Sequence, residues 1–285
     1  MDNINVRKIV FDLPEDVDMV FVEDDPETSY TFLGTWFMLP YLEPYLMRSI
    51  NEAIPLVEDK QLAEDMRRFV QQEGQHYQQH ARANDMLRKR NPAYAALKPL
   101  EEQMSAEFKR FTKEKSLKFN LAYAEGFECM TSAHSSAQIE TGMFAKPGNA
   151  LRVLAQWHVM EELEHRTVAF DAYKAIGGGY LYRLFVGLWA QFHFARWGLR
   201  LTKVIKEADA EVFEKYNNPA SIARRDAARK AYWKSALPRW LAIYTPWYSP
   251  RKLRLPANFE ATQRVYSDMA SMAQTQSSNP QEKMA

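Results

Sequence analysis

Two short stretches set carboxylates and imidazoles at helical spacing: Glu73-Gly74-Gln75-His76 with His80 following, and His158 followed by Glu162-Leu163-Glu164-His165. On an α-helix, Glu-x-x-His places the two groups one turn apart on a single face. At roughly 100° per residue, Glu73, His76 and His80 fall within about 60° of one another, and so do His158, Glu162 and His165. A single pair of this kind is an ordinary surface contact. Two pairs, each extended by a third donor, point to chemistry, because two such helices facing each other can hold a pair of metal ions.

A dinuclear site between helices also needs carboxylates from the other two helices. Leu56-Val57-Glu58-Asp59 after Pro55 reads as a turn, and Glu73 lies about fourteen residues beyond it. Both arms of an antiparallel hairpin rise by about 1.5 Å per residue, so the residue at matching height is Glu43, not Glu52. In the second half, Gly142 and Lys146-Pro147-Gly148-Asn149 break the pattern. Counting outward from that break pairs Glu162 with Glu128, and Glu125 competes from nearly the same face one turn away.

These residues sit in longer motifs: Leu39-Pro40-x-x-Glu43, Gln72-Glu73-x-x-His76-x-x-x-His80, Leu121-Ala122 with Glu128-x-x-Thr131, and Trp157-His158-x-x-Glu161-Glu162-x-Glu164-His165 before Val168-Ala169-Phe170-Asp171-x-Tyr173. The paired halves resemble the ferritin-like di-iron carboxylate superfamily. The local wording is similar to that of the bacterial family labelled "predicted metal-dependent hydrolase" over roughly residues 30 to 205. His158-x-x-x-Glu162-x-x-His165 also resembles the last ligand helix of 4-aminobenzoate N-oxygenase-type di-iron enzymes, which implies a third histidine ligand at His158. The chain departs from the first family where its usual Glu-His-x-Thr reads Glu128-Cys129-Met130-Thr131.

Low glycine content and long helix-period runs predict an all-α fold, and the resemblance makes it a ferritin-like four-helix bundle with additional C-terminal helices. The expected division is an extended segment over 1–30, the metal-binding bundle over 31–205, a helical wrap over 206–273 and a disordered tail over 274–285. Bundle helices are expected near 41–54, 60–89, 116–141 and 150–176, with a shorter crossover helix near 99–113 and a last helix near 258–272. Four prolines, Pro238, Pro246, Pro250 and Pro256, predict short pieces in the wrap. The apolar run Leu184–Ala195, fenced by Arg183 and Arg196, is short of the roughly twenty residues a bilayer span needs and reads as a packed fifth helix. With Trp240, Tyr244, Trp247 and Tyr248 among basic residues, it also allows peripheral membrane contact.

A formal net charge of +1, from 37 basic and 36 acidic residues, gives no field to attract nucleic acid. Cys129 is the only cysteine, which excludes an internal disulfide, and it reads as a small buried hydrophobe. No secretory signal pattern opens the chain, so a cytoplasmic location is the simplest expectation.

The expected ligands are therefore Glu43, Glu73, His76, Glu128, Glu162 and His165, with His158 as an additional one on the ion held by His165. His80 is either a ligand or a supporting group, and Glu125 is the alternative to Glu128. Glu161, Glu164 and Asp171 are candidate hydrogen-bond partners of ligand histidines, although an exposed helix face is the simpler reading of Glu161 and Glu164. His134 and His193 read as structural. Four carboxylates with two or three imidazoles suit two irons, with manganese or a mixed iron–manganese pair as variants, and zinc if the reaction is hydrolytic. The expected activity is a di-iron oxygenase that oxidises a small apolar or aromatic substrate and needs an electron donor. A dinuclear metal-dependent hydrolase is the alternative, and a non-catalytic iron-handling protein the second.

Overall fold

The computed structural model describes residues 4–278 and is all-α, with no strand among the described residues. Residues 4–25 form no helix and lie along the bundle, where Ile9, Phe11, Met19, Phe21 and Val22 are buried. Helix α1 (Pro26–Trp36) starts earlier than the boundary expected at residue 31. Asp25 accepts from the Thr28 N–H and Pro26 opens the first turn, a pairing that favours a helix start.

Helix α2 (Leu39–Ala53) carries Pro40 and Pro44 in its first turns, and Pro55 lies in the 3₁₀ turn Ile54–Leu56 that ends it. Asp59 then caps α3 (Lys60–Arg90), a helix of 31 residues, by accepting from Gln61 and Leu62. Helix α4 (Lys98–Glu114) leads to α5 (Leu117–Glu140), where every residue from Asn120 to Met130 is buried. A helix apolar all round belongs at the centre of a fold, and α5 packs against α2, α6 (Ala150–Glu164), α8 (Tyr180–Ala208) and α10 (Pro219–Ala242).

The expected helix over 150–176 is interrupted. It ends at Glu164, His165 caps it with φ −99° and ψ 7°, and α7 (Val168–Ala175) resumes after the break. Helix α8 is longer than expected and runs through residue 205. The wrap is not broken at Pro238, which lies inside α10. A five-residue helix α9 (Ala210–Glu214) precedes α10, and α11 (Phe259–Ser278) packs on α6. The tail expected to be disordered is helical through Ser278, and 279–285 lie outside the described residues.

Helices α5 and α8 touch through glycines: a Cβ on Gly126 would sit 2.3 Å from the Gly187 Cα. Gly126→Ala must therefore push two backbones apart. We expect a loss of about 1–3 kcal/mol in denaturant unfolding, the usual cost of overpacking. An unchanged midpoint would show that the helices separate freely.

Candidate metal centre

Four helices contribute to one buried cluster. Glu43 comes from α2, Glu73, His76 and His80 from α3, Glu128 from α5, and His158 and Glu162 from α6, with His165 at the helix break. The Glu73 carboxylate lies 3.5 Å from His76 Nδ1 and 3.4 Å from His165 Nε2. Glu162 also faces both ways: one oxygen is 3.2 Å from His158 Nε2 and 3.8 Å from His76 Nδ1, the other 3.6 Å from His165 Nε2. Glu128 Oε2 is 3.3 Å from His165 Nε2.

Donor atoms of Glu43, Glu73 and His76 form one compact group, those of His76, His158 and Glu162 a second, and those of Glu73, Glu128 and His165 a third. The first two share His76, and Glu73 joins the first to the third. The groups adjoin one another, with Glu73 and Glu162 each facing histidines on both sides.

Glu125 lies outside these groups. Its Oε1 accepts from Arg183 at 2.8 Å and from the Cys129 thiol at 3.2 Å, so Glu128 is the α5 carboxylate in the cluster. Cys129 is buried, and burial pushes its thiol well above the ordinary value. His158 departs from its expected position. It lies beside His76, ring centroids 4.3 Å apart, and not with His165. Seven residues separate His158 from His165, about 10 Å of helix rise, and Glu162 between them turns one oxygen to each.

His80 Nε2 and His158 Nδ1 are 2.7 Å apart, and Glu43, His80 and His158 form another compact donor group. His193 hydrogen-bonds Tyr123 and Glu107, and His134 hydrogen-bonds Tyr232, both away from the cluster. Asp171 meets Arg251 near the surface.

Of the supporting network, sequence reasoning named Glu161 and Glu164 as candidates and missed Arg7 and the role of Gln72. Glu161 and Glu164 are fully buried instead of lying on an exposed face. His76 Nε2 lies 3.2 Å from Glu161, which turns Nδ1 into the cluster. His165 Nδ1 lies 3.1 Å from Gln72 Oε1, and the Gln72 amide donates to Glu164 at 2.7 Å. Both carboxylates converge on Arg7, which donates to Glu161 at 3.0 Å and to Glu164 at 2.7 and 2.9 Å. A hydrogen-bonded partner behind a ligand histidine fixes its tautomer and ring orientation. The sequence held one signal for Arg7: in an extended segment alternate residues share a side, which puts it with the apolar Ile9 and Phe11.

Both oxygens of Glu43 and of Glu128, Glu73 Oε1, His76 Nδ1, Glu162 Oε2 and His165 Nε2 are buried without a hydrogen-bond partner. Buried polar atoms are normally satisfied, so this concentration of lone pairs fits cations. Oxygen and imidazole donors without thiolate suit iron, manganese or zinc.

Burial, then the nearby Glu73 carboxylate, pushes Glu43 well above its ordinary 4.5, and burial with Glu162 lifts Glu128 to about 8. For Glu162 burial works upward, but His165 and His158 outweigh it and hold the carboxyl well below 4.5. Burial opposes protonation of His76 and His165, yet carboxylates, Glu73 and Glu161 for one, Glu162 and Glu128 for the other, keep both well above 6.5. His80 and His158 are lowered by burial and by neighbouring imidazoles.

A pH prediction follows for the chelator-treated protein. Groups raised in the fold bind protons more tightly there than in the unfolded chain, so their stabilisation is lost as pH rises. Glu43 and Glu128 act in this direction from 4.5 upward, Glu128 to about 8, and His76 and His165 from 6.5 upward, whereas Glu162 below 4.5 and His80 and His158 below 6.5 act the other way. Thermal melts should therefore give a lower Tm at about pH 8 than at about pH 6.5 without metal, and a smaller drop with metal bound. A metal-free Tm that rises over this window would contradict the arrangement.

An all-α bundle with clustered carboxylate and imidazole donors in its interior defines a class of helical protein built to hold metal ions. Neither the comparison with curated proteins nor that with solved structures returned a match. The model of the family described as "Predicted metal-dependent hydrolase" matches residues 5–253, and the chain belongs to that family.

Proposed function

We propose that this protein is a dinuclear metal enzyme, its ions held by Glu43, Glu73, His76, Glu128, Glu162, His165 and His158. Glu73 and Glu162 would serve both ions, Glu43 and Glu128 one each, and His158 would help hold the ion held by His76. The observation that carries this reading is the convergence of unpartnered buried donors on two positions that share Glu73 and Glu162.

Hydrolysis is the reaction the family description favours. A bound cation pair would supply an activated water and a clamp for a leaving oxygen. Around it, the chain's own residues exclude solvent: the other ligands' side chains are at most 3% exposed, whereas His158 is 15% exposed and marks the side of approach. His80 Nε2 and His158 Nδ1 share one hydrogen bond and can hold a proton at that edge.

A second reading, oxidation of a small apolar or aromatic substrate by a di-iron oxygenase, is favoured by the donor set. Four carboxylates would neutralise two ferrous ions, and such a pair would supply reductive activation of dioxygen. The motif resemblance to ferritin-like di-iron proteins belongs to this reading, which also requires an electron donor.

One experiment separates the two. The protein is loaded with iron without oxygen, exposed to oxygen and followed by absorption, and in parallel loaded with zinc and assayed on ester and phosphoester substrates. Turnover with zinc and no oxygen response supports hydrolysis. A new absorption band on oxygenation without zinc turnover supports the oxygenase. Failure to retain about two ions per chain removes both, and iron uptake far beyond that number indicates storage.

A further inference from the structure

Helix α8 leaves one long face uncovered by the other described residues. Leu181, Phe185, Leu188, Phe192, Ala195 and Leu199 are exposed and follow one another at alternating steps of four and three. That spacing makes a single stripe about 27 Å long. Phe185 is 75% and Phe192 67% exposed, so the stripe is not a rim of the core.

The exposed charges around it are mainly basic. From Tyr180 to Lys206 the chain has no carboxylate and carries Arg196 and Arg200, while Arg183 is buried against Glu125, Lys203 pairs with Glu207 and Lys206 with Glu27. Beside the start of the stripe lies the 109–118 run, where Lys109, Arg110, Lys113, Lys115 and Lys118 are exposed and Glu114 is the one acid. The two are joined in space: the Lys118 ammonium lies 5.5 Å from the centre of the Tyr182 ring. A cleft of about 530 Å³ between them is lined by Phe119, Phe185 and Trp189 together with Arg110, Lys115 and Glu114.

No helix among the described residues is long and apolar enough to cross a membrane. We propose that this face seats the protein on an anionic lipid surface, with α8 lying in the interface plane. Phe185 and Phe192 enter the acyl boundary, and the cations of 109–118 meet headgroup phosphates. An apolar stripe bordered by cations is the arrangement such a surface attracts. A second copy of the chain fits less well, since its basic border would meet the same charges, and a neutral bilayer would leave those charges unanswered. The inference is independent of the reaction at the metal centre.

Cosedimentation of the full-length protein with vesicles of phosphatidylcholine alone, or mixed with phosphatidylglycerol, tests this. Binding is expected to the mixed vesicles, to fall with added salt, and to be weak to phosphatidylcholine alone. Phe185→Asp/Phe192→Asp should abolish it. Lys113→Glu/Lys115→Glu should weaken it at least 25-fold or so, about fivefold for each cation lost at an anionic surface. All four positions are exposed, so both variants should keep the wild-type circular dichroism spectrum; if the first does not, the second decides. No binding to the mixed vesicles, equal binding to both compositions, or undiminished binding by the folded variants would overturn the proposal. A concentration-dependent dimer, lost in Phe185→Asp/Phe192→Asp without any vesicle binding, would assign the face to a second copy.

Discussion

Glu73→Ala is expected to remove both metal ions, although it deletes one carboxylate. Glu73 Oε1 stands 3.5 Å from His76 Nδ1 and 3.4 Å from His165 Nε2, so it would serve both ions of the proposed pair. The fall in affinity should exceed the roughly 10–100-fold typical of losing a supporting hydrogen bond. His165→Ala should likewise abolish stoichiometric binding, because its imidazole faces Glu73, Glu128 and Glu162 together. His158→Ala is the contrast: it lies at the part-exposed edge, so this variant should retain metal and change reactivity. Metal analysis of desalted protein reads all three. A full complement in Glu73→Ala or His165→Ala would refute the ligand assignment.

The site was legible because helix periodicity is strict. Spacing alone put Glu73, His76 and His80 on one face of α3, and hairpin counting selected Glu43, since α2 and α3 run unbroken from a short turn. Counting could not separate Glu125 from Glu128, one turn apart. The choice is made by Arg183, which comes from a helix more than fifty residues away and holds Glu125. His158 was assigned to the wrong neighbour for a related reason: sharing a face does not mean sharing a height, and two turns separate it from His165. In the fold, helix interiors read well and interruptions did not. The break at His165 carries neither glycine nor proline. Pro238 misled in the other direction, as it sits near the end of α10 without stopping it. The N-terminal segment was hardest, because its alternation sets Arg7 on the side of Ile9 and Phe11 but does not say which carboxylates it meets.

That contact yields the second large effect. Arg7→Leu should lower stability by about 3–5 kcal/mol, since it leaves the buried carboxylates of Glu161 and Glu164 without their cation. For a chain of this size, about 2–4 °C per kcal/mol translates into a Tm lower by about 10 °C. It should also weaken metal binding about 10–100-fold, because Arg7 anchors Glu161 behind His76 and Glu164 behind the Gln72 that orients His165. Arg7→Lys should recover part of both losses: it restores the charge but not the fork that reaches two carboxylates at once. Arg7→Leu/Glu161→Gln/Glu164→Gln separates the causes. Removing the unpaired charges should restore much of the Tm, whereas metal affinity should stay low, because a neutral amide holds His76 less firmly than a carboxylate does. If affinity returns together with Tm in that triple variant, Arg7 acts only by neutralising buried charge and does not position the histidines.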